Sequence, residues 1–357
     1  MQQEIPAKLV KQLRDITDAG IMECKNALKE CGGDIDKAVD LLKKKGLSKA
    51  AKKADRVATE GVIAMKVCPQ GGKATMLEVN SETDFVAKNE AFQELVSNAL
   101  EIAFEGGLND VSALMKRGLN GQTFEEYLQQ KIAIIGENIV IRRVVTVECK
   151  TGQIVNGYLH HNKRIGALVR LECSKQDKLE KLLDLAKELS MQVASMKPKV
   201  TSHNDLSLDL VKQEKEALIA ELKKGNEELQ RLGKTLNRIP EYVSRLELSQ
   251  AVLDSKREEL KQKLKEEGKP EKIWDKVIAG QMDRFILDNS LLDQRLTLLS
   301  QPYAFDDKKT VEAVVDSRAN ELGVKLKVLG FNSFTLGEGL EKKVDDFASE
   351  VAAQMRG

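Results

Sequence analysis

One pattern occurs twice along this chain: two strand-like segments joined by a short turn and followed by a helical segment. The first copy covers residues 62–102 and the second covers residues 153–193. When the copies are aligned so that Leu77 falls on Leu171, the two helical segments coincide. A repeat of this kind predicts two sister subdomains of the α+β class, each with an antiparallel hairpin packed on a helix.

Each subdomain is expected to receive a third strand from further along the chain. The segment 139–147 is rich in β-branched residues and would complete the first antiparallel sheet, while the segment 324–331 would complete the second. Thr123 and Glu126 have the spacing of a capping box, which predicts one more helix in the first subdomain.

The first 47 residues predict a three-helix bundle. Apolar residues recur there at helical spacing in three runs, which are separated by breaks at 17–20 and 32–33. Asp34 is a potential N-cap for the third helix, and Gly46 is expected to end it. The apolar residues at helical spacing are Leu9, Leu13, Ile16, Ile21, Cys24, Leu28, Cys31, Ile35, Val39 and Leu42.

A leucine-rich stretch inside the second subdomain predicts a coiled-coil arm. Apolar residues follow three-four spacing from Leu208 to Leu236, and leucines recur from Leu246 to Leu264 after a turn at 237–240. The two runs predict an antiparallel helical hairpin in which they pack on each other. Such an arm could pair with another chain, contact a partner or serve as structural support, and the sequence leaves these three uses open.

These patterns divide the chain into several parts. The basic, alanine-rich segment after the bundle has no apolar stripe, and we expect it to be a linker. The expected parts are the bundle at 1–47, the linker at 48–60, the first subdomain at 61–150, the second subdomain at 151–204 and 291–332, the arm at 205–290 and a C-terminal segment at 333–357.

Composition argues against several classes of partner. The chain of 357 residues has 57 basic and 56 acidic residues, so its formal charge of +1 provides no overall field for nucleic acid or a membrane surface. No run of about 18 apolar residues occurs, and the first residues lack the charged and apolar parts of an export signal. We therefore expect a cytoplasmic protein with no direct nucleic-acid or membrane contact.

Known signatures of enzymes and metal sites are missing. Five cysteines and three histidines occur without metal-site spacing, so we expect reduced, mostly buried thiols and no metal or cofactor. No phosphate-binding loop, dinucleotide fingerprint, nucleophile elbow or zinc-protease helix occurs. His160 and His161 fall on a predicted hairpin turn and not beside a candidate nucleophile. The chain is expected to be a binding protein and not an enzyme.

The segment 81–89, Ser-Glu-Thr-Asp-Phe-Val-Ala-Lys-Asn, places a carboxylate beside an aromatic ring where a strand gives way to a helix. Two interpretations are open from these residues alone. In the first, Asp84 interacts with the positive end of the helix dipole, and Phe85 joins Phe92 in the core. In the second, Asp84 and Phe85 project from the junction and contact another protein.

Six segments of the chain resemble the bacterial elongation factor Ts family, in the family's order and from one end of the chain to the other. The two longest run from Leu13 to Leu28 and from Glu82 to Asn89. The shorter ones are Ile135-Gly136-Glu137-Asn138-Ile139, Arg164-Ile165-Gly166, Gln301-Pro302 and Gly337-Glu338-Gly339-Leu340.

The resemblance implies both a fold and a function. The fold would be a ubiquitin-associated-like bundle, two related α+β subdomains, a coiled-coil arm through which two copies form a homodimer, and a C-terminal helical module. The function would be guanine-nucleotide exchange on elongation factor Tu in translation elongation. Two features depart from the family: Ile21 stands where many members have methionine, and the arm is longer than in most members.

Contact residues transfer from the family by position within the matching motifs. The resemblance implies that the central motif enters the GTPase beside its magnesium ion and nucleotide, while the bundle and the C-terminal module hold the GTPase domain. The residues are Thr83, Asp84, Phe85 and Val86 for the central motif, and Leu13, Arg14, Ala19, Gly20 and Met22 for the bundle. A family histidine on the hairpin turn corresponds to His160 or His161, and counting from Arg164 favours His160.

One alternative belongs to another functional class. A three-helix bundle that binds short ligands, joined to a coiled coil that oligomerises, would make a cytoplasmic scaffold, and neither pattern excludes it. The two hypotheses differ in the central motif, because a scaffold has no use for an exposed Asp84–Phe85 pair on a rigid junction.

Overall fold

The computed structural model describes residues 5–17 and 19–340, and within them the chain forms two compact units. Unit 1 comprises residues 5–17, 19–150, 154–168 and 332–340. Unit 2 comprises residues 151–153 and 169–331. No helix in the described ranges is long and apolar enough to cross a membrane.

The predicted N-terminal bundle is present in unit 1. Its helices are α1 (Ala7–Thr17), α2 (Ile21–Glu30) and α3 (Ile35–Ala51). Leu13, Cys24 and Leu28 have no exposed surface and form the centre of its core. Asp34 caps α3 as predicted, because its carboxylate accepts a hydrogen bond from the Lys37 amide at 3.1 Å.

The first subdomain has the predicted hairpin, helix and third strand. Its elements are β1 (Glu60–Val67), β2 (Lys73–Ser81), α4 (Asp84–Ala87), α5 (Glu90–Gly106), α6 (Val111–Met115), β3 (Gly118–Leu119), β4 (Gln122–Thr123), α7 (Phe124–Ile135) and β5 (Ile139–Glu148). The antiparallel sheet has the strand order β1-β2-β5. The capping box predicted at Thr123 and Glu126 starts α7.

The third bundle helix does not end where the sequence predicts. Gly46 was expected to close it, but α3 continues to Ala51. A side-chain Cβ at Gly46 would contact the Cβ of Ala133 on α7 at 3.6 Å. The glycine therefore lies where α3 packs closely on α7, and packing rather than chain termination explains its position.

The second half of the chain repeats the strand arrangement of the first. Its elements are β6 (Gln153–Leu159), β7 (Ile165–Cys173), α8 (Leu183–Met196), α9 (Leu208–Arg231), α10 (Gln250–Glu266), α11 (Trp274–Asp288), α12 (Leu291–Leu296), β8 (Pro302–Tyr303), β9 (Asp306–Thr310), α13 (Val311–Leu322) and β10 (Leu326–Thr335), with 3₁₀ helices at Gln176–Leu182, His203–Asp205, Arg245–Glu247 and Glu271–Ile273. The second sheet has the order β6-β7-β10, so the last strand again lies beside the second strand of the hairpin. The predicted relationship between the two sheets is confirmed.

The C-terminal segment begins differently from the implied helical module. Strand β10 continues to Thr335, so residues 333–335 are extended and not helical. Residues 336–339 form a turn, and residues 341–357 of the implied module lie outside the described residues.

The helical hairpin of the arm pairs different helices from those predicted. Leu260 and Leu264 of α10 pack on Ile278 and Met282 of α11. The prediction that α9 pairs with α10 is wrong, because α9 packs on α12 and on the segment before α10. Leucine spacing shows which face of a helix is apolar but not which neighbour covers it. The short connection between α10 and α11 favours that pair over helices joined by the long connection 232–249.

The cysteines only partly match the expectation of buried thiols. Cys24 and Cys173 are buried, and the other three are half-buried. The prediction of mostly buried thiols is therefore wrong, although none of the five forms a disulfide.

Strand β2 has core packing on both faces, which holds it rigidly within unit 1. Leu77 and Val79 point to the core formed with α5 and α7, while Ala74 and Met76 point to a second core that includes Val155 of β6. Side chains of a strand alternate between its faces, so this two-sided packing leaves nearly all of β2 buried.

One carboxylate, that of Glu78, lies inside this packing with no exposed surface. A bulge after Glu78 leaves both Arg142 and Arg143 opposite it on β5. Arg143 Nε donates to Glu78 Oε2 at 2.6 Å, and Arg142 Nη1 and the Gly337 amide donate to Oε1 at 3.0 and 2.8 Å. Burial alone would raise the pKa of Glu78, but these donors outweigh it, and the pKa lies below its usual value.

Replacing Glu78 by Gln should lower the free energy of unfolding by about 3 kcal/mol at neutral pH, because two guanidinium groups lose the buried charge that they contact. A carboxylate with a lowered folded-state pKa stabilises the protein above its unfolded pKa, and this contribution is lost as pH falls through the folded pKa. The difference in the free energy of unfolding between Glu78→Gln and the parent should therefore become smaller at acidic pH. Urea unfolding followed by circular dichroism at several pH values measures it.

Glu101→Gln is the matched control, because Glu101 forms a half-exposed ion pair with Lys66. Its loss should cost less than about 1 kcal/mol. Equal losses for the two variants, or a Glu78→Gln loss that does not change with pH, would show that the buried charge is not the stabilising feature.

Candidate functional site

Residues 83–86, called the acid–aromatic turn below, form a corner between β2 and α5. Thr83 is extended and caps α4, because its hydroxyl oxygen accepts a hydrogen bond from the Val86 amide at 3.4 Å. Asn89 then caps α5 by accepting a hydrogen bond from the Ala91 amide at 2.8 Å. Two successive N-caps therefore give the chain a defined change of direction at this corner.

Phe85 projects from the corner into solvent. Its side chain is 79% exposed, whereas Phe92 on α5 has no exposed surface. The interpretation in which Phe85 packs in the core with Phe92 is therefore wrong. A single exposed ring is common on protein surfaces, so what distinguishes Phe85 is its place on a corner whose backbone is fixed by neighbouring elements.

Asp84 is also exposed and forms an ion pair with Lys88 one helical turn later. The distance from Lys88 Nζ to Asp84 Oδ2 is 3.0 Å, and the two side chains are 74% and 52% exposed. A pair this accessible to water contributes less than about 1 kcal/mol. A binding partner could therefore separate the two charges at small cost.

The turn between β6 and β7, residues 160–164, borders the acid–aromatic turn. Lys163 Nζ donates to Gln93 Oε1 at 2.9 Å, and Gln93 Nε2 donates to the carbonyl of Ala87 at 2.6 Å. These two hydrogen bonds join the hairpin turn to the last residue of α4. The structure thus brings together two of the segments that the sequence assigns to the site.

Arg164 supplies a fixed cation near the acid–aromatic turn. Its Nη1 donates to Glu60 Oε2 at 2.6 Å. The pKa of Arg164 is raised, first by this hydrogen bond and further by the charges of Glu60 and Asp84, while burial acts in the opposite direction. Asp84 therefore lies within electrostatic reach of Arg164 as well as of Lys88.

His160 and His161 occupy the start of the hairpin turn. Their ring centroids are 4.1 Å apart. His160 is half-buried, and its Nδ1 atom is buried without a hydrogen-bond partner among the described residues. His161 is exposed, so its ring is the more accessible of the two to another molecule.

Two carboxylates hold the acid–aromatic turn against the loop that follows α7. Glu137 accepts two hydrogen bonds from Thr83, one from the amide at 3.0 Å and one from the hydroxyl at 2.6 Å. In return, Glu82 accepts a hydrogen bond from the Asn138 amide at 2.6 Å. We call this reciprocal set the carboxylate clamp. It follows directly on Gly136, whose left-handed backbone (φ +92°) ends α7 and redirects the chain.

Asn138 also holds the segment that connects the bundle to β1. Its Nδ2 donates to the carbonyls of Arg56 at 2.7 Å and of Ala54 at 3.3 Å. Asn138 is only 4% exposed, and a buried amide that lost these acceptors would be left unsatisfied. The connection to the bundle and the acid–aromatic turn are therefore both attached to one short loop.

The residues assigned to the bundle contact differ in accessibility. Arg14, Gly20 and Met22 are exposed, and these three are called the bundle surface below. Ala19 is 8% exposed. Leu13 has no exposed surface and belongs to the bundle core, so a direct contact of Leu13 with another protein is contradicted. Its side chain supports the helix that carries Arg14.

Sequence reasoning missed the groups that hold the turn in place. Glu137, Asn138 and Arg164 all lie in short segments that resemble the family, but the resemblance assigned them no role. The one local signal was a carboxylate directly after a helix-ending glycine. Its partner Thr83 is 54 positions away, and no spacing rule connects residues so far apart.

The exposed groups at this site are suited to contacts with another molecule. Within the described ranges, no three or more His, Cys, Asp or Glu side chains come together in a way that could hold a metal ion. What the corner presents is one carboxylate and one phenyl ring on a fixed backbone, with cations at its base.

Comparison with known proteins gives a consistent result. The sequence matches the family model described as "Elongation factor TS" over residues 82–237 and 235–338. It is 52% identical to elongation factor Ts of Helicobacter hepaticus over 353 residues, and each alignment partner is covered to 99%. The identities to elongation factor Ts of Wolinella succinogenes and of Helicobacter pylori are 53% and 51% over 352 residues, again with 99% of both chains covered.

Replacing Phe85 by Ala should change the free energy of unfolding by no more than about 0.5 kcal/mol, because the ring is exposed and does not pack in the core. Phe92→Ala is the matched control and should cost about 3–5 kcal/mol, since it empties a fully buried site. Urea unfolding of both variants tests this. A loss for Phe85→Ala comparable to that for Phe92→Ala would mean that the ring is buried in solution.

Proposed function

Because this chain belongs to the elongation factor Ts family of translation elongation factors, we propose that it is a guanine-nucleotide exchange factor that binds elongation factor Tu in its GDP form and speeds GDP release. The observation that carries the proposal is the exposed pair Asp84 and Phe85 on a corner held by the protein core. This pair is suited to entering a site on another protein.

Nucleotide exchange forms no covalent bond and depends on differential binding. The factor must bind the nucleotide-free GTPase more tightly than the GDP-bound GTPase, and reciprocity then makes GDP bind less tightly to the complex. A release that is about ten-thousandfold faster needs about 5.5 kcal/mol of differential interaction. That free energy must come from contacts that improve once the nucleotide site has opened.

Phe85 is the proposed source of much of this differential interaction. Its ring is exposed in the free protein, so inserting it between apolar side chains of the GTPase would remove its surface from water. Such an insertion has room only when the packing beside the nucleotide opens. The contact therefore favours the open, nucleotide-free form.

Asp84 is the proposed source of the electrostatic effect. The ion pair between Asp84 and Lys88 is exposed, so the Asp84 carboxylate can leave Lys88 and contact groups of the partner at small cost. A negative charge placed near the magnesium site would disturb the water and carboxylate ligands that hold the ion. Loss of the ion removes charge that offsets the nucleotide phosphates, and GDP then leaves.

The bundle surface is proposed to supply affinity and not exchange. Arg14, Gly20 and Met22 lie on the N-terminal bundle, away in sequence from the corner, and Met22 is 63% exposed. A contact there would be equally good before and after GDP leaves. Uniform binding of this kind lowers the concentration needed for half-maximal exchange without changing the rate at saturation.

The hairpin turn with His160 and His161 is proposed as a supporting contact. It borders the acid–aromatic turn through Lys163 and Gln93, so a GTPase that receives Phe85 would also meet this turn. His161 would offer an exposed ring, and His160 would offer the edge of a half-buried one.

Self-association through the arm remains a prediction of the sequence. Because α10 and α11 cover each other's apolar faces, a second copy would need other residues of the arm. Leu232, Leu236 and Ile239, which follow α9, are 61%, 50% and 42% exposed and are the residues that we propose for this contact.

Phe85→Ala should slow GDP release at saturation by about tenfold or more, which corresponds to about 1.4 kcal/mol of the differential interaction. The half-saturating concentration should stay close to that of the parent, because the bundle surface is untouched. Stopped-flow release of labelled GDP from elongation factor Tu, measured over a range of factor concentrations, separates the two quantities. Phe305→Ala removes another exposed ring, 55% exposed, and should leave both unchanged. An unchanged saturated rate in Phe85→Ala would contradict the proposal.

Arg14→Ala should have the opposite signature. We expect the concentration for half-maximal exchange to rise about fivefold, as for a moderate interface contact, while the saturated rate changes little. Arg231→Ala removes an exposed arginine at the end of α9 and is the control. A loss confined to the saturated rate would place Arg14 in the exchange step and not in binding.

A further inference from the structure

We propose that Glu137 is a positioning residue: through the carboxylate clamp it holds the acid–aromatic turn in the orientation in which Phe85 acts. This inference rests on the proposed function and extends it to a residue outside the exposed turn. It predicts that the clamp determines how fast GDP leaves but not how tightly the GTPase is bound.

The acid–aromatic turn has few contacts that could fix it from within. Helix α4 has only four residues, so it lacks the internal hydrogen bonds of a longer helix. Phe85 is 79% exposed, Asp84 forms an exposed ion pair, and Val86 is half-buried. Ala87 is the one buried residue of this helix, and its methyl group is small. Ala87 belongs to the core of the first subdomain and Val86 packs against it, so these two residues anchor the C-terminal half of α4. Asp84 and Phe85 lie in the other half, and their orientation depends on how Thr83 is held.

At its C-terminal end the turn is attached by Gln93, which donates to the carbonyl of Ala87 at 2.6 Å. At its N-terminal end both oxygens of Glu137 are engaged, with the amide and the hydroxyl of Thr83 at 3.0 and 2.6 Å. Hydrogen bonds to a carboxylate are shorter and stronger than those between neutral groups. Ser81 Oγ also donates to the Thr83 carbonyl at 2.9 Å, but only the two bonds to Glu137 restrain both the backbone amide and the side-chain hydroxyl of Thr83.

The Thr83 hydroxyl has a second function that depends on the first. It donates to Glu137 and at the same time accepts from the Val86 amide at 3.4 Å, so Glu137 orients the group that caps α4. Without Glu137 the hydroxyl can rotate away from this amide. The backbone that carries Asp84 and Phe85 would then lose its N-cap.

Binding through the bundle surface does not depend on Glu137. The bundle packs on α7 at Gly46 and Ala133, and Asn138 holds its connection to β1 through separate hydrogen bonds. Removal of Glu137 should therefore leave the bundle surface in place. The fraction of complexes in which Phe85 is aligned with its target should fall. A displacement of the ring by about 1 Å is enough to slow GDP release strongly.

The test compares three variants of the full chain. Glu137→Ala removes both hydrogen bonds to Thr83. Glu137→Gln keeps the side-chain length and one oxygen acceptor, so it should restore much of the alignment. Glu126→Ala is the matched control, because it removes a capping-box glutamate at the opposite end of the same helix, α7. Each variant is measured by stopped-flow GDP release over a range of concentrations and by hydrogen exchange of the Thr83 and Val86 amides.

Glu137→Ala should lower the saturated rate of GDP release about tenfold, with the half-saturating concentration unchanged and faster hydrogen exchange at the Thr83 and Val86 amides. Glu137→Gln should return the saturated rate to within about threefold of the parent. Glu126→Ala should change neither the saturated rate nor the half-saturating concentration. An unchanged saturated rate in Glu137→Ala, or an equal loss in Glu126→Ala, would overturn the positioning role.

The outcomes also distinguish this inference from the proposed function. If Phe85→Ala slows release but Glu137→Ala does not, the acid–aromatic turn acts without the clamp and only the positioning role fails. If Phe85→Ala leaves release unchanged while hydrogen exchange shows that Glu137→Ala loosens the turn, the clamp exists but the turn does not drive exchange.

Discussion

The reciprocal hydrogen bonds of the carboxylate clamp are the contacts on which the exposed corner depends. Thr83 donates twice to Glu137, and the Asn138 amide donates to Glu82, so each chain segment supplies a carboxylate to the backbone of the other. An exposed phenyl ring cannot hold itself in place, because it has no core contacts to lose. Its order comes from the core packing of Val86 and Ala87 and from the partly shielded hydrogen bonds of Thr83 to the Glu137 carboxylate.

A fully buried carboxylate, that of Glu78, fixes the same strand a few residues earlier. Glu78 joins β2 to Arg142 and Arg143 of β5 and to the Gly337 amide, and apolar side chains cover both faces of β2. Strand β2 therefore reaches the corner as a rigid element and not as a flexible loop. The sheet fixes where β2 ends, and the carboxylate clamp fixes the direction in which the chain leaves β2.

Much of this fold follows from local patterns, while the site depends on contacts that local patterns do not encode. The two hairpins, the third strands and the Thr123–Glu126 capping box follow from residue periodicity and spacing, and all are present. The partner of α10 did not follow, because a leucine stripe does not specify which helix covers it. Phe85 could not be assigned either, since its helical spacing to Phe92 suits a core residue as well as an exposed one. Glu137 was missed because its partner is far away along the chain.

The loop after α7 relates the two proposed contact regions to each other. The side-chain amide of Asn138 donates to the carbonyls of Ala54 and Arg56 on the connection to the bundle. The backbone amide of Asn138 and the neighbouring Glu137 hold the acid–aromatic turn. The separation between the bundle surface and Phe85 is thereby restricted before any partner binds. A flexible connection would make each complex search for the second contact after the first had formed, and ordering it would oppose binding. With both regions attached to one loop, part of that ordering is present in the free protein, and under the proposed exchange mechanism more of the binding free energy is then available to weaken nucleotide binding.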